Sequence, residues 1–248
     1  MPAAEDPYLI PGSQVLRNRV GARTAEQLLL AENDLVTARF QELNEEHLTA
    51  QGTLEQLRWI HHYLFQDVYD LAGQVRTIDM SKGGGTVFQP LRLFNNGAEY
   101  AERTLRADCM LVGLKRDEFV KRLSVHYDNF NMLHPFREGN GRTQRVFWTL
   151  VARDAGWGLD WPAVSKSEND RASILAHERV DYSLLEAMFA RIAQPLDRES
   201  GPADLTGAQL NDARWGEEQP ILQEILSEAD YQVQRRRLSY QLEGDTRD

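Results

Sequence analysis

Residues 134–145 combine, in one short segment, the side chains that a reaction at a phosphorus atom requires. The segment reads His-Pro-Phe-Arg-Glu-Gly-Asn-Gly-Arg-Thr-Gln-Arg. The imidazole of His134 can accept a proton from an attacking hydroxyl. The carboxylate of Glu138 is a hard oxygen ligand of the kind that Mg²⁺ takes alongside phosphate oxygens. The segment therefore predicts a general base and a metal ligand close together in the chain.

The second half of the segment has the composition of an anion-binding loop. Gly139 and Gly141 lack side chains, which lets a backbone approach a ligand closely, and Asn140 is a candidate cap for the helix that follows. Free N–H groups at a helix N-terminus bind anions. Arg142 and Arg145 are one turn apart on the predicted helix, and guanidinium groups match phosphate oxygens. We predict a polyphosphate site.

Helical sequence flanks the segment on both sides. Apolar residues recur at helical spacing through residues 119–133 and again over 146–151, and the second helix is expected to end near Gly156. The chemistry-bearing segment should therefore form the turn of a helix–loop–helix junction. Phe136 has no chemical role in this scheme, and we expect its ring to anchor the loop in the core.

Most of the remaining chain also has helical periodicity. Capping sequences at Thr24 and Thr53 predict helices that run to about Leu43 and to Gly73. His61 lies on the apolar stripe of the second helix and is expected to be a buried, hydrogen-bonded histidine rather than a ligand. Further helices are predicted over residues 95–110, 116–133 and 169–193.

Only one region is β-prone. Residues 75–80 and 86–90 are separated by Lys82-Gly83-Gly84-Gly85, a pattern that predicts a hairpin. This hairpin is expected to be the only strand structure. The predicted fold class is therefore all-α with one small β-hairpin.

Composition limits the classes of protein to which the chain can belong. Its 248 residues, 42% hydrophobic, are enough to bury a full core. A net charge of −10 argues against direct binding of nucleic acid. No apolar run approaches a membrane span and the N-terminus does not resemble a signal peptide, so we expect a cytoplasmic protein without membrane association. The single cysteine, Cys109, excludes an internal disulfide framework.

The segment resembles the signature of Fic-domain proteins, His-x-Phe-x-(Asp/Glu)-Gly-Asn-Gly-Arg-x-x-Arg, at every defined position. Residues 6–10 and 17–19 are similar to the start of bacterial Fic toxins, and residues 60–73 to the helix before the family's flap. We assign residues 1–196 to a Fic domain and residues 197–248 to a linker and a C-terminal inhibitory, antitoxin-like segment.

The resemblance implies transfer of AMP from ATP, with Mg²⁺, to a hydroxyl on a target protein. It makes His134 the general base and Glu138 the Mg²⁺ ligand. The loop Gly139-Asn140-Gly141 would hold the α- and β-phosphates, Arg142 the β- and γ-phosphates, and Arg145 the γ-phosphate. A kinase branch of the superfamily replaces this glycine loop, so its presence here favours AMP transfer over phosphorylation.

The predicted hairpin at about residues 75–90 occupies the position of the family's flap, which aligns a target segment by strand addition. We assign target docking to Thr86, Val87 and Phe88. The acceptor would be a Ser, Thr or Tyr hydroxyl. Resemblance to bacterial toxins makes DNA gyrase and topoisomerase IV the candidate targets and a bacterial cytoplasm the expected location.

The C-terminal segment carries a second family motif. Ser239-x-x-x-Glu243-Gly244 matches the inhibitory pattern (Ser/Thr)-x-x-x-Glu-(Gly/Asn). Ser239 and Glu243 would project from one helical face. In the family this glutamate pairs with the second arginine of the signature, here Arg145, and removes the partner of the γ-phosphate. The helix could act within its own chain or on a neighbouring subunit of a homo-oligomer.

Three functions are compatible with these residues. The first is an autoinhibited protein adenylyltransferase. The second is the reverse reaction, in which Glu243 helps to activate water and AMP is removed from the target. The third is a non-catalytic nucleotide-binding module, against which the intact His134 and Glu138 argue.

Overall fold

The computed structural model describes residues 6–46, 48–82 and 86–196. The predicted mainly helical class is confirmed. Within the described ranges, none of the helices is long and apolar enough to cross a membrane. The helices are α1 Ala25–Glu45, α2 Leu54–Phe65, α3 Phe94–Ala107, α4 Arg116–Leu133, α5 Asn140–Asp154, α6 Lys166–Arg179 and α7 Ser183–Ile192.

The first two helices begin at the predicted caps. The Thr24 side chain accepts a hydrogen bond from the Gln27 backbone N–H, and the Gln27 side-chain carbonyl accepts one from the backbone N–H of Arg23. Thr53 accepts from the backbone N–H of Gln56 in the same way at the start of α2. These bonds satisfy donors that the first helical turn leaves without partners, which explains why both helices begin at a threonine.

Helix α2 is shorter than predicted. It ends at Phe65, and the prediction that it continues to Gly73 is wrong. The chain turns back on the helix because the Gly73 N–H donates to His61 Nδ1, at 2.7 Å, and the Gly73 carbonyl accepts from Arg58 Nε, at 3.0 Å. Gly73 takes a φ of 77° there, a left-handed conformation that favours glycine.

Helices α4 and α5 lie at the centre of the core. The rings of Phe130 and Phe147 are 4.9 Å apart, and Phe130 meets Trp148 edge to face at 5.5 Å. Both geometries are ones that aromatic rings favour. Since all three rings are fully buried, the two helices are fixed relative to each other, and the loop between them has a defined start and end.

The predicted hairpin is present but short. Its strands are β1, Ser81–Lys82, and β2, Thr86–Val87, paired antiparallel. The prediction of a strand over residues 75–80 is wrong, because the backbone groups there bond elsewhere. The Arg76 N–H donates to the carbonyl of Pro135 at 2.7 Å, and the Thr77 N–H donates to Tyr8 Oη at 2.7 Å.

Two further predictions need correction. The hairpin is not the only strand structure, because β3, Trp157–Leu159, pairs antiparallel with β4, Ala193–Pro195. The single helix predicted over residues 169–193 is two helices, α6 and α7. Val180, which has a left-handed φ of 54°, separates α6 from α7. The Asp181 carboxylate then accepts a hydrogen bond from the Ser183 backbone N–H, at 2.9 Å, at the start of α7.

The first prediction concerns Gly139, which stands between α4 and α5 with a φ of 79°. A Cβ at this position would lie 2.4 Å from Cζ of the buried Phe65 ring. Gly113 has the same φ of 79° and nothing within 4 Å of the corresponding Cβ position. We expect Gly139→Ala to lower the free energy of unfolding by about 1–3 kcal/mol more than Gly113→Ala does, because only Gly139→Ala overpacks the core.

Denaturant unfolding of both variants measures this difference. Equal losses of stability in Gly139→Ala and Gly113→Ala would contradict the prediction, because the left-handed backbone alone, which costs roughly 1–2 kcal/mol, would then account for both.

Candidate active site

His134 lies where α4 ends. It is the C-terminal cap of that helix and has a left-handed backbone, with φ 41° and ψ 58°. Its ring stacks on Phe88 with centroids 3.6 Å apart and planes inclined by 10°. Its carbonyl accepts a hydrogen bond from Arg76 Nε at 2.9 Å. Phe88 of the flap therefore restricts the ring, and Arg76 fixes the backbone of the same residue.

Arg76 ties the flap to the end of α4. Its side chain is fully buried, and besides the His134 carbonyl it donates to the carbonyls of Ile78, at 2.7 Å, and Gln89. Burial lowers the pKa of the guanidinium, while nearby Asp79 opposes the shift. A buried arginine that donates to backbone on both sides of a hairpin fixes the base of that hairpin.

The loop after His134 is closed by a reciprocal pair of hydrogen bonds. The Phe136 N–H donates to Asn140 Oδ1 at 2.9 Å, and Asn140 Nδ2 donates to the Phe136 carbonyl at 2.7 Å. Phe136 is fully buried, as predicted. Asn140 is the first residue of α5, and the N-cap is Gly139, so the prediction that Asn140 caps this helix is wrong. The Asn140 side chain instead closes the loop. A contact between Asn140 and phosphate, as predicted, would therefore be made by its backbone N–H.

His61 supports the loop from the core side. Its Nδ1 accepts from the Gly73 N–H, so Nε2 carries the proton and donates to the Glu138 carbonyl at 2.9 Å. Its ring stacks on Phe136 at 3.8 Å and on Phe65 at 4.7 Å. Burial lowers its pKa to about 3. The prediction of a buried, hydrogen-bonded histidine is confirmed.

Glu138 faces outward from this support. Its side chain is 44% exposed, and Oε1 accepts from the Gly139 N–H at 2.9 Å. The same oxygen lies 3.7 Å from Arg142 Nη2. In the first turn of α5, Asn140 is buried and Gly141 is exposed. The Glu138 carboxylate and the first turn of α5 thus lie together, one suited to a cation and the other to an anion.

The two arginines of the segment have different surroundings, although one helical turn separates them. Arg142 is 20% exposed in its side chain and lies over the Phe65 ring at 4.8 Å. Arg145 is 6% exposed and lies over the Trp161 ring at 5.7 Å. Arg142 therefore faces α2, and Arg145 faces the turn that precedes α6.

The structure adds partners that the sequence analysis missed. Arg142 forms an ion pair with Glu32 of α1, and Glu32 also accepts a hydrogen bond from the Tyr69 hydroxyl. One sequence signal could have identified Glu32, since it lies one helical turn from Leu28 and from Val36 on the buried side of α1. A charged residue at such a position requires a partner.

The flap residues assigned to docking have different positions. Phe88 is buried against His134, and its backbone N–H donates to the Met80 carbonyl at 3.1 Å. Val87 is 49% exposed. Thr86 is described as a member of β2. Val87 is therefore exposed to a partner, whereas Phe88 packs against the histidine ring.

Ser239 and Glu243 fall outside the described residues. Across the ranges 6–46, 48–82 and 86–196, no group of three or more His, Cys, Asp or Glu side chains is arranged to hold a metal ion.

Comparisons with known proteins place the chain among relatives of one family. A family model described as Fic/DOC family matches residues 51–152. The chain is 34% identical over 187 residues to the probable protein adenylyltransferase Fic of Escherichia coli strain K12, covering 75% of this chain and 92% of that protein.

Solved structures share the fold. The BepC effector of Bartonella tribocorum, with bound AMPPNP, has a TM-score of 0.71 at 24% identity and covers 77% of this chain and 97% of its own. The Fic domain of a Bartonella quintana effector, with bound ADP, has a TM-score of 0.68 at 25% identity and covers 77% and 95%. Together, fold, loop and relatives define an enzyme of the protein adenylyltransferase class. The chain belongs to the Fic/DOC family.

The second prediction follows from the buried, neutral His61. Its pKa is lowered from 6.5 to about 3 on folding, so below pH 6.5 the unfolded chain binds a proton that the folded chain does not. This histidine therefore destabilises the fold as the pH decreases through that window. We expect the stability advantage of the wild type over His61→Gln to shrink by an amount on the order of 1–2 kcal/mol between about pH 7 and pH 5.

Urea unfolding at both pH values measures this change, and His62→Gln removes an exposed histidine of the same helix as the control. A stability difference between wild type and His61→Gln that does not vary with pH would contradict the assignment of His61 as a buried neutral group.

Proposed function

We propose that this enzyme transfers AMP from Mg·ATP to a hydroxyl side chain of a target protein. The observation that carries the proposal is the turn from α4 to α5. That turn brings together His134, the Glu138 carboxylate and the first turn of α5, in which Gly141 is exposed. Phe136 and His61 support the loop from the core side. Such an arrangement supplies a base, a metal ligand and an anion site together.

The proposed step is a displacement at the α-phosphorus. The target hydroxyl oxygen bonds to that phosphorus, its proton passes to the His134 ring, and the bond to the bridging oxygen of the β-phosphate breaks to release pyrophosphate. The stack of His134 on Phe88 restricts the ring before substrate arrives. Restriction of this kind is worth orders of magnitude in rate, because a small misplacement of a reacting group is costly.

The surroundings of α5 fit a triphosphate. The backbone N–H groups at the start of the helix lie beside Gly141, which is exposed and carries no side chain to block a phosphate. Arg142 provides a partly exposed guanidinium one turn further on. The Bartonella quintana relative carries bound ADP, which supports the assignment of an adenine nucleotide to this site.

Glu138 fits a role as the single protein ligand of Mg²⁺. Its Oε2 has no partner among the described residues, and its side chain is 44% exposed. Mg²⁺ commonly binds one or two carboxylates together with substrate phosphates. Bound there, it would neutralise charge on the leaving phosphates. The pairing of Glu138 and Glu32 with the one guanidinium of Arg142 favours entry of ATP with its cation rather than as the free anion.

The flap is the proposed docking edge for the target. The antiparallel pair Ser81–Lys82 and Thr86–Val87 lies next to His134 through Phe88, so an extended segment paired with it would pass the base. Strand addition supplies backbone hydrogen bonds without dictating the sequence of the partner. DNA gyrase and topoisomerase IV are the proposed targets, on the resemblance to bacterial toxins alone.

The third prediction tests the reaction. We expect label from α-³²P-ATP, and not from γ-³²P-ATP, to appear on a protein of a bacterial lysate or on purified gyrase or topoisomerase IV. The His134→Ala variant should abolish the label, because it removes the base. His177→Ala, which alters a histidine outside the active-site segment, is the matched control. Deletion of residues 83–85 should reduce labelling of the target while ATP binding persists.

Four results would contradict the proposal. Label from the γ-position would mean phosphoryl transfer. Label that persists in His134→Ala would remove the base from the mechanism. Release of AMP from a previously modified target by the wild type, with no transfer by any variant, would favour the reverse reaction, and Mg·ATP binding with neither reaction would favour the non-catalytic alternative.

We further propose that the C-terminal segment inhibits the enzyme through Glu243 and Arg145. The support is the match of Ser239-x-x-x-Glu243-Gly244 to the family's inhibitory pattern. A carboxylate paired with Arg145 would occupy the place of the γ-phosphate and leave the α-phosphate misaligned for attack. Arg145 lies 5.7 Å from the Trp161 ring, which limits the directions from which such a carboxylate can approach.

The fourth prediction is that Glu243→Gly raises transfer of the α-label by roughly tenfold or more, because the triphosphate regains its in-line alignment. Glu224→Gly, which removes a glutamate from the same C-terminal segment, should not change the rate. The double variant Glu243→Gly/His134→Ala shows whether the added label depends on the base. If Glu243→Gly labels no faster than wild type, the inhibitory role is wrong.

A further inference from the structure

Glu32 is a buried carboxylate whose two oxygens both have partners at the candidate active site. One oxygen accepts from Arg142 Nη2 and the other from the Tyr69 hydroxyl. The Glu32 side chain is 7% exposed. Tyr69 is itself buried and precedes the flap. The contact links α1, the segment after α2 and the first turn of α5, which are far apart in sequence.

Stability alone does not explain a carboxylate at this position. Neighbouring positions on the buried side of α1 carry Leu28 and Val36. Removing a charge from water is costly, and replacing a buried ion pair with apolar residues is often neutral or stabilising. An apolar residue would therefore suit the core at least as well as Glu32. The carboxylate is better explained by what it does to Arg142.

Arg142 is held from three sides. Nη2 is paired with Glu32, the guanidinium lies over the Phe65 ring at 4.8 Å, and Glu138 Oε1 lies 3.7 Å away. Burial acts to lower the pKa of the guanidinium, but the carboxylates of Glu32 and Glu138 more than offset this effect and raise it. The side chain therefore keeps its charge, and its plane is fixed before a ligand arrives.

We propose that Glu32, assisted by Tyr69, is a positioning residue that presents Arg142 to the terminal phosphates of the nucleotide. The inference rests on the proposed function, which assigns those phosphates to Arg142. Because Glu32 takes Nη2, the Nη1 and Nε hydrogens of the same planar group remain for phosphate oxygens, and the described residues provide them with no partner. Fixing a long side chain in advance reduces the conformational entropy lost when the ligand binds.

Two other roles for the contact between Glu32 and Arg142 predict different changes in nucleotide binding. If Glu32 competed with phosphate for Arg142, removing its charge would strengthen the binding of ATP. If Glu32 only supported the fold, its loss would weaken all nucleotides alike. A positioning role requires weaker binding that is confined to nucleotides with β- or γ-phosphates, because the α-phosphate is assigned to the loop and not to Arg142.

The experiment is calorimetric titration of the full-length chain with ATP, ADP and AMP in the presence of Mg²⁺. The variants are Glu32→Gln, which keeps the shape and removes the charge, and Tyr69→Phe. The matched control is Glu42→Gln, because Glu42 also lies on α1 and also contacts an arginine and a tyrosine, Arg39 and Tyr63, away from the site. Thermal unfolding of each variant accompanies the titrations.

We expect Glu32→Gln to weaken the binding of ATP and ADP by roughly 10- to 100-fold, the range found when the outer partner of a metal-ligating residue is removed, with the binding of AMP unchanged. Tyr69→Phe should give the same pattern with a smaller effect, and Glu42→Gln should match the wild type. Tighter ATP binding, or equal weakening of all three nucleotides, would overturn the proposal. Arg142→Ala separates the two claims, since unchanged ATP affinity in that variant would refute the proposed phosphate contact itself.

Discussion

The stack of His61 between Phe136 and Phe65 is the contact on which the site depends. Through it, one neutral imidazole joins α2 to the α4–α5 loop, accepting from the Gly73 N–H and donating to the Glu138 carbonyl. Both ring nitrogens are used, so the tautomer is fixed. Because His61 supports the loop from the core side, the left-handed backbone at the two ends of the loop is maintained by packing and hydrogen bonds rather than by the conformational preference of the residues there.

The loop contains two kinds of residue, those buried beneath it and those partly exposed to solvent. Phe136 and the Asn140 side chain point into the protein and close the turn, whereas Glu138 and Arg142 remain partly exposed. Arg76 extends this support to the flap, because its buried guanidinium bonds the backbone of both the hairpin and the end of α4. Arg76 therefore ties the base of the flap to the backbone of His134.

Local features of the fold were predictable from sequence, and long-range ones were not. The caps at Thr24 and Thr53 and the burial of Phe136 follow from spacing and residue type. The pairing of Glu32 with Arg142 joins residues 110 apart in sequence, and the second small sheet joins the segments that follow α5 and α7. No periodicity encodes such contacts. The same limit explains the early end of α2, which depends on Gly73 folding back onto His61.

The most direct measurement of the central claim is a crystal structure of the chain with Mg²⁺ and a non-hydrolysable ATP analogue. We expect phosphates on the backbone N–H groups at the start of α5, a terminal phosphate on Arg142 with its Glu32 contact intact, and the α-phosphate beside His134. We also expect Mg²⁺ on Glu138. A nucleotide bound elsewhere, or one whose α-phosphate lies away from His134, would contradict the proposed mechanism.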